Sequence, residues 1–253
     1  MTESGIITME RSGAAVVLRI ERAERMNALA TEHMEELARR VRDADHEGAT
    51  VIVITGAGRA FCTGADLSGT VDGSTADAAA DVVRAITEAR AAVIAAVNGP
   101  TAGAGVSIAV ACDLVIAAES AFFLLPFLSL GLVPDGGATQ LIAARIGAPR
   151  AARMAFGGER IPAATAEAWG LVSEVVPDDR LDARIGELLD RILDVPDAAV
   201  AETARLLRAG ANDSLATALE AEVEVQRRLL DSDEFRLARE GFLEKRPVSF
   251  RRD

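Results

Sequence analysis

The chain has 253 residues, a net charge of −12 and apolar side chains at half of its positions, enough to bury a sizeable core in one large domain, with or without an appendage. The negative charge argues against nucleic acid or an anionic membrane surface as the main partner. Cys62 and Cys112 form no CxxC pair, which fits a reducing compartment. Polar residues follow the first methionine, and no apolar run reaches the roughly 20 residues of a membrane helix. We therefore expect a cytoplasmic protein.

Predicted strands alternate with predicted helices along most of the chain. Apolar, often β-branched runs predict strands at residues 6–10, 14–20, 51–55, 93–97, 114–117, 121–125 and 171–176. Helices are expected from Thr31 as a cap, at 78–92 behind an Asp77 cap, after Gly103, and at 138–146 and 149–156. This alternation predicts an α/β fold with a largely parallel sheet.

The connections and the tail complete this prediction. Residues 11–13 are expected to form a hairpin turn, and residues 68–76, rich in Gly, Ser, Thr and Asp, to be mobile. From Asp179 to Lys245 the sequence is helical, with breaks expected near 195–196 and 210–213. We divide the chain into a core, 1–195, and a strand-free helical region, 196–253, which we predict to be an assembly arm.

Two predicted strands run into glycine-bearing turns. Residues 56–67 (GAGRAFCTGADL) follow one, and residues 98–105 (NGPTAGAG) follow another and precede a run of small apolar residues typical of a buried helix. Such a turn aims unpaired N–H groups at one point, which suits an oxygen that becomes negative. Close packing of the helix against a sheet is the alternative explanation, and this stretch alone does not decide between the two.

Five short motifs, taken in order, resemble the crotonase (enoyl-CoA hydratase/isomerase) superfamily. Residues 27–29 (NAL) match an early coenzyme A-contacting segment, 61–67 (FCTGADL) and 98–105 (NGPTAGAG) two oxyanion loops, 131–137 (GLVPDGG) an active-site turn, and 242–247 (FLEKRP) the C-terminal signature. The resemblance covers nearly the whole chain. Each motif is weak alone, and their common order makes the match specific.

The resemblance implies a spiral of ββα turns, a C-terminal helical trimerisation region, and a homotrimer or dimer of trimers. It implies an acyl-CoA substrate, with coenzyme A as part of the substrate and no separate cofactor. It also implies that the backbone N–H groups of Ala65 and Ala104 hold the thioester oxygen, on which charge collects when an α proton leaves. Each such donor is worth roughly 2.7–4 kcal/mol. The substrate-binding positions implied are Arg25, Ala28, Thr63, Asp66, Leu67, Phe127 and Lys245.

The departures from the family pattern bear on the reaction. Hydratases of the family carry two glutamates that activate water and deliver a proton, and in this sequence these positions hold Ser107 and Phe127. Neither residue can act as a carboxylate base, and phenylalanine would displace water. Simple hydration is therefore disfavoured.

Asp135 is the one carboxylate at the matched active-site turn. Its apolar neighbours Leu130, Leu132 and Val133 can raise its pKa toward a range useful for proton transfer. Composition alone favours a helix N-cap, because a helix is predicted to begin at residue 138. The resemblance favours catalysis, because family isomerases of the phenylacetate-degradation type carry Val/Ile-Pro-Asp here and use the aspartate to shuttle a proton.

Other polar residues have two interpretations each. Asp66 either contacts ligand or caps the next helix. Arg22 and Arg25 are interpreted as solvated, with contact to coenzyme A phosphates as the alternative. Lys245, the only lysine, is either a charge at a helix C-terminus or, by its match, the family's phosphate-binding lysine. Cys62 is interpreted as a core thiol, because no histidine lies near it.

We therefore predict an acyl-CoA isomerase that moves a carbon–carbon double bond by proton transfer through a thioester enolate. The alternatives are a non-catalytic acyl-CoA-binding protein and a hydratase-like lyase of unusual mechanism. Nucleophilic attack by Asp135, as in the family's aryl-CoA dehalogenases, is disfavoured, because that mechanism requires a histidine near the pocket. His33 and His46 lie in or just after an early polar helix, without cysteine or histidine partners, so no metal site is expected.

Overall fold

The computed structural model describes residues 5–250, apart from the side chains of residues 211–213. The strands are β1 (Ile7–Ser12), β2 (Ala15–Ile20), β3 (Val51–Gly56), β4 (Ala92–Val97), β5 (Thr101–Ala102), β6 (Leu114–Ala118), β7 (Phe122–Leu124), β8 (Ile161–Pro162) and β9 (Glu174–Val176). The α-helices are α1 (Thr31–His46), α2 (Gly73–Glu88), α3 (Ala104–Ala111), α4 (Ala138–Ile146), α5 (Ala148–Gly157), α6 (Ala163–Trp169), α7 (Leu181–Leu193), α8 (Asp197–Leu230) and α9 (Asp233–Leu243).

The main sheet has six strands in the order β1-β2-β3-β4-β6-β9. Only the β1–β2 pair is antiparallel, and the other four pairs are parallel. A second sheet, β5-β7-β8, forms beyond the end of β4. Its first pair is parallel and its second antiparallel. The predicted α/β class is confirmed.

The central strands are buried on both faces, as in parallel sheets covered by helices. Every residue of β3 is buried. Ile52 and Ile54 belong to the cluster shared with α1, α2 and α3, whereas Val51 and Val53 belong to the cluster shared with α7. Alternate residues of β3 thus pack into two different hydrophobic clusters, which explains why the strand sequence is continuously apolar.

Several predicted boundaries are wrong. The first hairpin turns at residues 13–14, and β9 covers only half of the strand predicted at 171–176. Thr31 is the first residue of α1 and Ala30 its N-cap; the Thr31 hydroxyl instead hydrogen-bonds to that of Thr75 at 2.9 Å. Strands β5 and β8 were not predicted, because two-residue strands have no sequence period. Helix α6 was not predicted either.

Helix α2 begins five residues earlier than predicted and ends before β4. Its cap is Asp72, whose carboxylate accepts a hydrogen bond from the Ser74 N–H at 2.9 Å, while the Asp72 N–H donates to the Thr75 hydroxyl at 3.3 Å. Asp77 lies inside the helix. Residues 73–76, predicted to be mobile, are helical and end with the buried Ala76.

The C-terminal region packs on the core of its own chain. Helix α8 runs unbroken through residues 210–213, against the prediction, because its packing on α2 and α4 outweighs the low helix propensity of one glycine. Arg208 of α8 binds the carbonyls of Ala89 and Ala91 and the carboxylate of Asp113. The described part of the region contains no strand, as predicted, and α8 also contacts β4 of the main sheet.

In the described part of the chain, every helix is either too short or too polar to cross a membrane.

Candidate active site

The first glycine turn is held by strand-like pairing on both sides. The Leu29 N–H donates to the Gly64 carbonyl at 2.8 Å, and the Leu29 carbonyl accepts from the Asp66 N–H at 2.9 Å. On the other side, the Ala102 N–H donates to the Cys62 carbonyl at 2.9 Å. Because successive N–H groups of an extended chain alternate in direction, the N–H of Ala65 points away from Leu29.

The second glycine turn packs directly against the first. Gly64 has a φ of +87°, and a Cβ atom built on it would lie 3.1 Å from the Ala104 nitrogen. A Cβ atom on Gly105 would lie 2.1 Å from the Cys62 carbonyl oxygen, so only glycine fits there. Ala104 opens α3, and the first N–H groups of a helix have no acceptor within it. The backbones that carry the Ala65 and Ala104 amides are therefore neighbours.

One cavity of about 480 Å³ opens beside these two turns. It is lined by all the predicted site residues except Lys245, namely Arg25, Ala28, Thr63, Ala65, Asp66, Leu67, Ala104, Phe127 and Asp135. Most of the remaining wall is apolar and includes Met34, Ala76, Ala79, Leu130, Leu132, Leu230, Phe242 and Leu243. Such a cavity suits an apolar acyl group next to a few polar atoms.

Asp135 is the buried carboxylate of this cavity. Its residue is 7% exposed, its Oδ2 accepts a hydrogen bond from the Gln226 amide at 2.9 Å, and its Oδ1 has no partner among the described residues. Burial raises the pKa of Asp135 to about 7; the Gln226 hydrogen bond opposes this rise, and the negative charge of Glu222 adds to it. A carboxyl group with this pKa can both take and give a proton near neutral pH.

Glu222, rather than Asp135, caps α4. The N-cap residue of α4 is Gly137, whose N–H donates to the Glu222 carboxylate at 2.6 Å. The same carboxylate accepts from the Thr139 N–H at 2.9 Å and from the Thr139 hydroxyl. Burial raises the pKa of Glu222 despite these bonds. The capping interpretation of Asp135 is therefore wrong, and its carboxylate stays available to the cavity.

Asp66, the other carboxylate in the cavity wall, is held by ordered donors. Its Oδ2 accepts from Arg22 at 2.8 Å, and its Oδ1 accepts from the N–H and hydroxyl of Ser68 at 3.0 and 2.6 Å. Burial opposes its ionisation, but these hydrogen bonds and the guanidinium charge together lower the pKa of Asp66 to about 2. Asp66 does not cap α2, and Arg22 is not a solvated side chain, so both of those interpretations are wrong.

The two positions matched to the family's glutamates have other tasks here. The Ser107 hydroxyl donates to the backbone carbonyl of Asp135 at 2.7 Å, so it fixes the turn that carries the aspartate. Phe127 is buried against Gly103 and fills part of the cavity wall. Burial raises the pKa of Cys62 to about 12, which fits the predicted core thiol.

Lys245 lies outside the cavity wall. It is exposed, has a φ of +55°, and follows Leu243, which does line the cavity, by two residues. Arg25 is exposed and lines the cavity.

Comparison with known proteins gives the family. The sequence profile of the enoyl-CoA hydratase/isomerase family matches residues 10–253. A "probable enoyl-CoA hydratase" of Rhodobacter capsulatus is 38% identical over 96% of this chain and 97% of its own length. The "1,2-epoxyphenylacetyl-CoA isomerase" of Escherichia coli is 33% identical over 93% and 94%. The crystal structure of an enoyl-CoA hydratase from Mycobacterium avium subsp. paratuberculosis superimposes with a TM-score of 0.93, at 37% identity, over 99% of this chain and all of that one.

These matches define an enzyme of the crotonase superfamily, which acts on acyl-CoA thioesters. The chain belongs to the enoyl-CoA hydratase/isomerase family, and its relation to a phenylacetate-type isomerase is confirmed. The relatives include both hydratases and isomerases by name, so the family alone does not choose between water addition and double-bond migration.

Proposed function

We propose that this protein is an acyl-CoA isomerase that shifts a carbon–carbon double bond along the acyl chain by proton transfer. The observation that carries this proposal is Asp135, a buried carboxylate in the cavity wall with one oxygen that has no partner among the described residues. The substrate is an enoyl-CoA thioester, and coenzyme A is part of the substrate.

The thioester oxygen is the first group that the enzyme must stabilise. Loss of a proton from the carbon next to the thioester yields an enolate, with its charge on that oxygen. The N–H groups of Ala65 and Ala104 are carried by neighbouring backbone segments, and neither needs a side chain. Fixed donors of this kind stabilise the oxyanion by roughly 2.7–4 kcal/mol each. This arrangement supports binding of the thioester carbonyl between the two turns.

The proton is then moved by Asp135. The ionised carboxylate takes a proton from one carbon of the enoyl chain, and the neutral acid returns it to the carbon two bonds further on, so that the double bond shifts and no atom is gained or lost. A pKa of about 7 makes both half-reactions accessible, since the best acid–base catalysts titrate near the working pH. Asp66 cannot do this, because its hydrogen bonds and the Arg22 charge keep it ionised.

Water addition is the second candidate, because a 38% identical relative is described as a probable hydratase. Ser107 and Phe127 stand where hydratases of the family carry glutamates, and the Ser107 hydroxyl is engaged with the Asp135 carbonyl. With one proton-transfer carboxylate in the described cavity wall, a hydratase mechanism would lack its second acid–base group. Double-bond migration needs only one.

The test is a panel of 2-enoyl-, 3-enoyl- and aryl-acyl-CoA thioesters, including crotonyl-CoA. Products are separated by chromatography, since isomers share one mass and hydrated products gain a water. The proposal expects interconversion of 2- and 3-enoyl thioesters and negligible hydration of crotonyl-CoA. Hydration at the rate of family hydratases would overturn it. Tight binding without turnover on every thioester would favour a non-catalytic acyl-CoA-binding protein instead.

We propose a cytoplasmic homotrimer or dimer of trimers built through the region 196–253. Exposed apolar side chains of α8, Leu206 and Leu207, 64% and 74% exposed, support a contact between subunits there. Light scattering measures the mass of the assembly directly.

A further inference from the structure

We propose that Gln226 is a positioning residue that holds the acid–base carboxyl group of Asp135 through a hydrogen bond to its Oδ2 atom. This proposal rests on the isomerase function proposed above. It assigns a residue of the C-terminal helix α8 to the chemistry of a turn in the core, 91 residues earlier in the chain.

The orientation of the Gln226 amide is fixed by two hydrogen bonds of opposite sense. Its Oε1 accepts from the backbone N–H of Val133 at 3.1 Å, and its Nε2 donates to Asp135 Oδ2 at 2.9 Å. A flipped amide would set NH₂ against an N–H donor and its oxygen against a carboxylate. The residue is 2% exposed, so water cannot compensate for such a flip.

This fixed donor distinguishes the two oxygens of Asp135. Oδ2 accepts from Gln226 when the carboxylate is ionised, and it remains an acceptor when the acid is neutral. A proton on Oδ2 would face the Nε2 donor, whereas Oδ1 has no partner among the described residues. In the neutral acid the proton is therefore carried on Oδ1, which is itself buried. The Ser107 hydroxyl anchors the Asp135 carbonyl, so the backbone and the carboxyl group are both held.

The other groups around the turn that carries Asp135 come from three elements. Helix α8 supplies one charge, Glu222, which also binds the first turn of α4. Helix α3 supplies the neutral Ser107 hydroxyl. Helix α2 supplies backbone, with the Ala79 carbonyl 3.7 Å from the position of a Cβ atom on Gly136. Gln226 favours the ionised form of Asp135 by donation, and Glu222 disfavours it by repulsion.

Two variants on the same helix should therefore move the titration of Asp135 in opposite directions. Gln226→Met keeps the length of the side chain and removes the donor, so the pH midpoint of the acidic limb of kcat/KM should rise. Glu222→Gln removes the repelling charge and keeps an acceptor for α4, so the midpoint should fall. Since a misheld carboxylate reacts slowly but the thioester still binds, kcat of Gln226→Met should fall about tenfold or more while KM changes less.

The matched control is Val223→Ala, which loosens the packing of α8 without removing a hydrogen bond or a charge. It should lower stability and leave the midpoint unchanged. Titration of the Asp135 carboxyl group by carbon-13 NMR, with its signal identified by its absence in Asp135→Asn, gives a readout independent of turnover. Gln226→Asn, which withdraws the donor but keeps an amide, replaces Gln226→Met if the latter does not fold.

An unchanged Asp135 midpoint in a folded Gln226→Met or Gln226→Asn variant would overturn the positioning role, as would an equal shift in Val223→Ala. A wild type that moves no double bond would overturn the proposed function instead, and with it the role of Gln226 in turnover. The expected result is that the pH midpoint of Asp135 lies above the wild-type value in the Gln226 variant and below it in Glu222→Gln.

Discussion

Arg22 and Asp66 form a largely buried ion pair, with Arg22 Nη2 2.8 Å from Asp66 Oδ2. The second Arg22 nitrogen donates to the Ala28 carbonyl at 2.6 Å, so the guanidinium is fixed to the early segment that also lines the cavity. The pair keeps Asp66 ionised at neutral pH. Of the two carboxylates in the described cavity wall, Asp135 alone can exchange a proton in the working range.

Asp66→Asn should therefore weaken the fold more than the chemistry. Loss of the charged hydrogen bonds to Arg22 should lower the free energy of unfolding by roughly 1.5–3 kcal/mol, measured by urea denaturation. The pH midpoint of isomerisation should not move, because Asp66 is not the acid–base group. A rate loss as large as that of Asp135→Asn would show that Asp66 takes part in proton transfer.

Gly64→Ala should damage the oxyanion-binding geometry. The new Cβ atom would lie 3.0 Å from the Ala102 carbonyl oxygen and 3.1 Å from the Ala104 nitrogen, so the two turns must move apart. Displacing one oxyanion donor should lower kcat roughly 10²- to 10³-fold. Gly13→Ala is the matched control, since Gly13 has a φ of +60° and nothing within 4 Å of the added atom. A wild-type kcat for Gly64→Ala would argue against the oxyanion role of these turns.

Lys245→Ala should weaken coenzyme A binding with little effect on folding. An exposed lysine contributes little to stability, whereas a charge-assisted bond to a phosphate is worth roughly 1.5–3 kcal/mol, or at least about tenfold in affinity. Isothermal titration with coenzyme A measures the affinity, and a melting curve the stability. Arg180→Ala is the control, because Arg180 is an exposed cation just before α7 and lies away from the cavity wall. Equal affinity for coenzyme A in Lys245→Ala and wild type would show that Lys245 does not bind the ligand.

The stability of the wild type should fall as pH rises through the range in which Asp135 ionises. Its pKa is about 7 in the folded protein against 3.8 as the ordinary value, so between these limits the folded state binds more protons than the unfolded one, and the free energy of unfolding decreases with pH. Asp135→Asn removes this slope. Its stability relative to wild type should therefore rise by up to about 4 kcal/mol from pH 4 to pH 7 and then level off. If urea denaturation gives wild type and Asp135→Asn the same dependence of the free energy of unfolding on pH, the raised pKa of Asp135 is contradicted.

Local sequence signals predicted the parts of the fold that local chemistry decides. The bounds of α4 match because glycines with positive φ, Gly137 and Gly147, stand on both sides of it. The start of α2 was predicted wrongly because both Asp72 and Asp77 can act as helix caps. The cap in the structure is Asp72, and the residues that follow it have low helix propensity. Packing of α2 on α1 and α8 decides that choice, and sequence propensity does not contain it.

The same division applies to the site. Ala65, Ala104 and Asp135 lie in short motifs and were predicted from them. Glu222 and Gln226 were missed because their partners lie 83 to 93 residues away, so no local pattern joins them. One signal was present: both are polar residues one helical turn apart on the face that also carries the buried side chains Leu215, Leu219 and Leu230. Polar residues on an apolar helix face predict buried partners.

If Asp135 moves the proton, the variant Asp135→Asn should lose the reaction and still bind the substrate. Asparagine keeps the shape of the side chain and can still accept the Gln226 hydrogen bond, but it cannot take up a proton at neutral pH. The measurement is the rate of 3-enoyl- to 2-enoyl-CoA conversion by the purified variant, alongside its affinity for the same thioester. We expect a loss of about 10⁴-fold in kcat, the upper end for a general acid–base group, with affinity close to wild type. Conversion at the wild-type rate by a folded Asp135→Asn protein would contradict it.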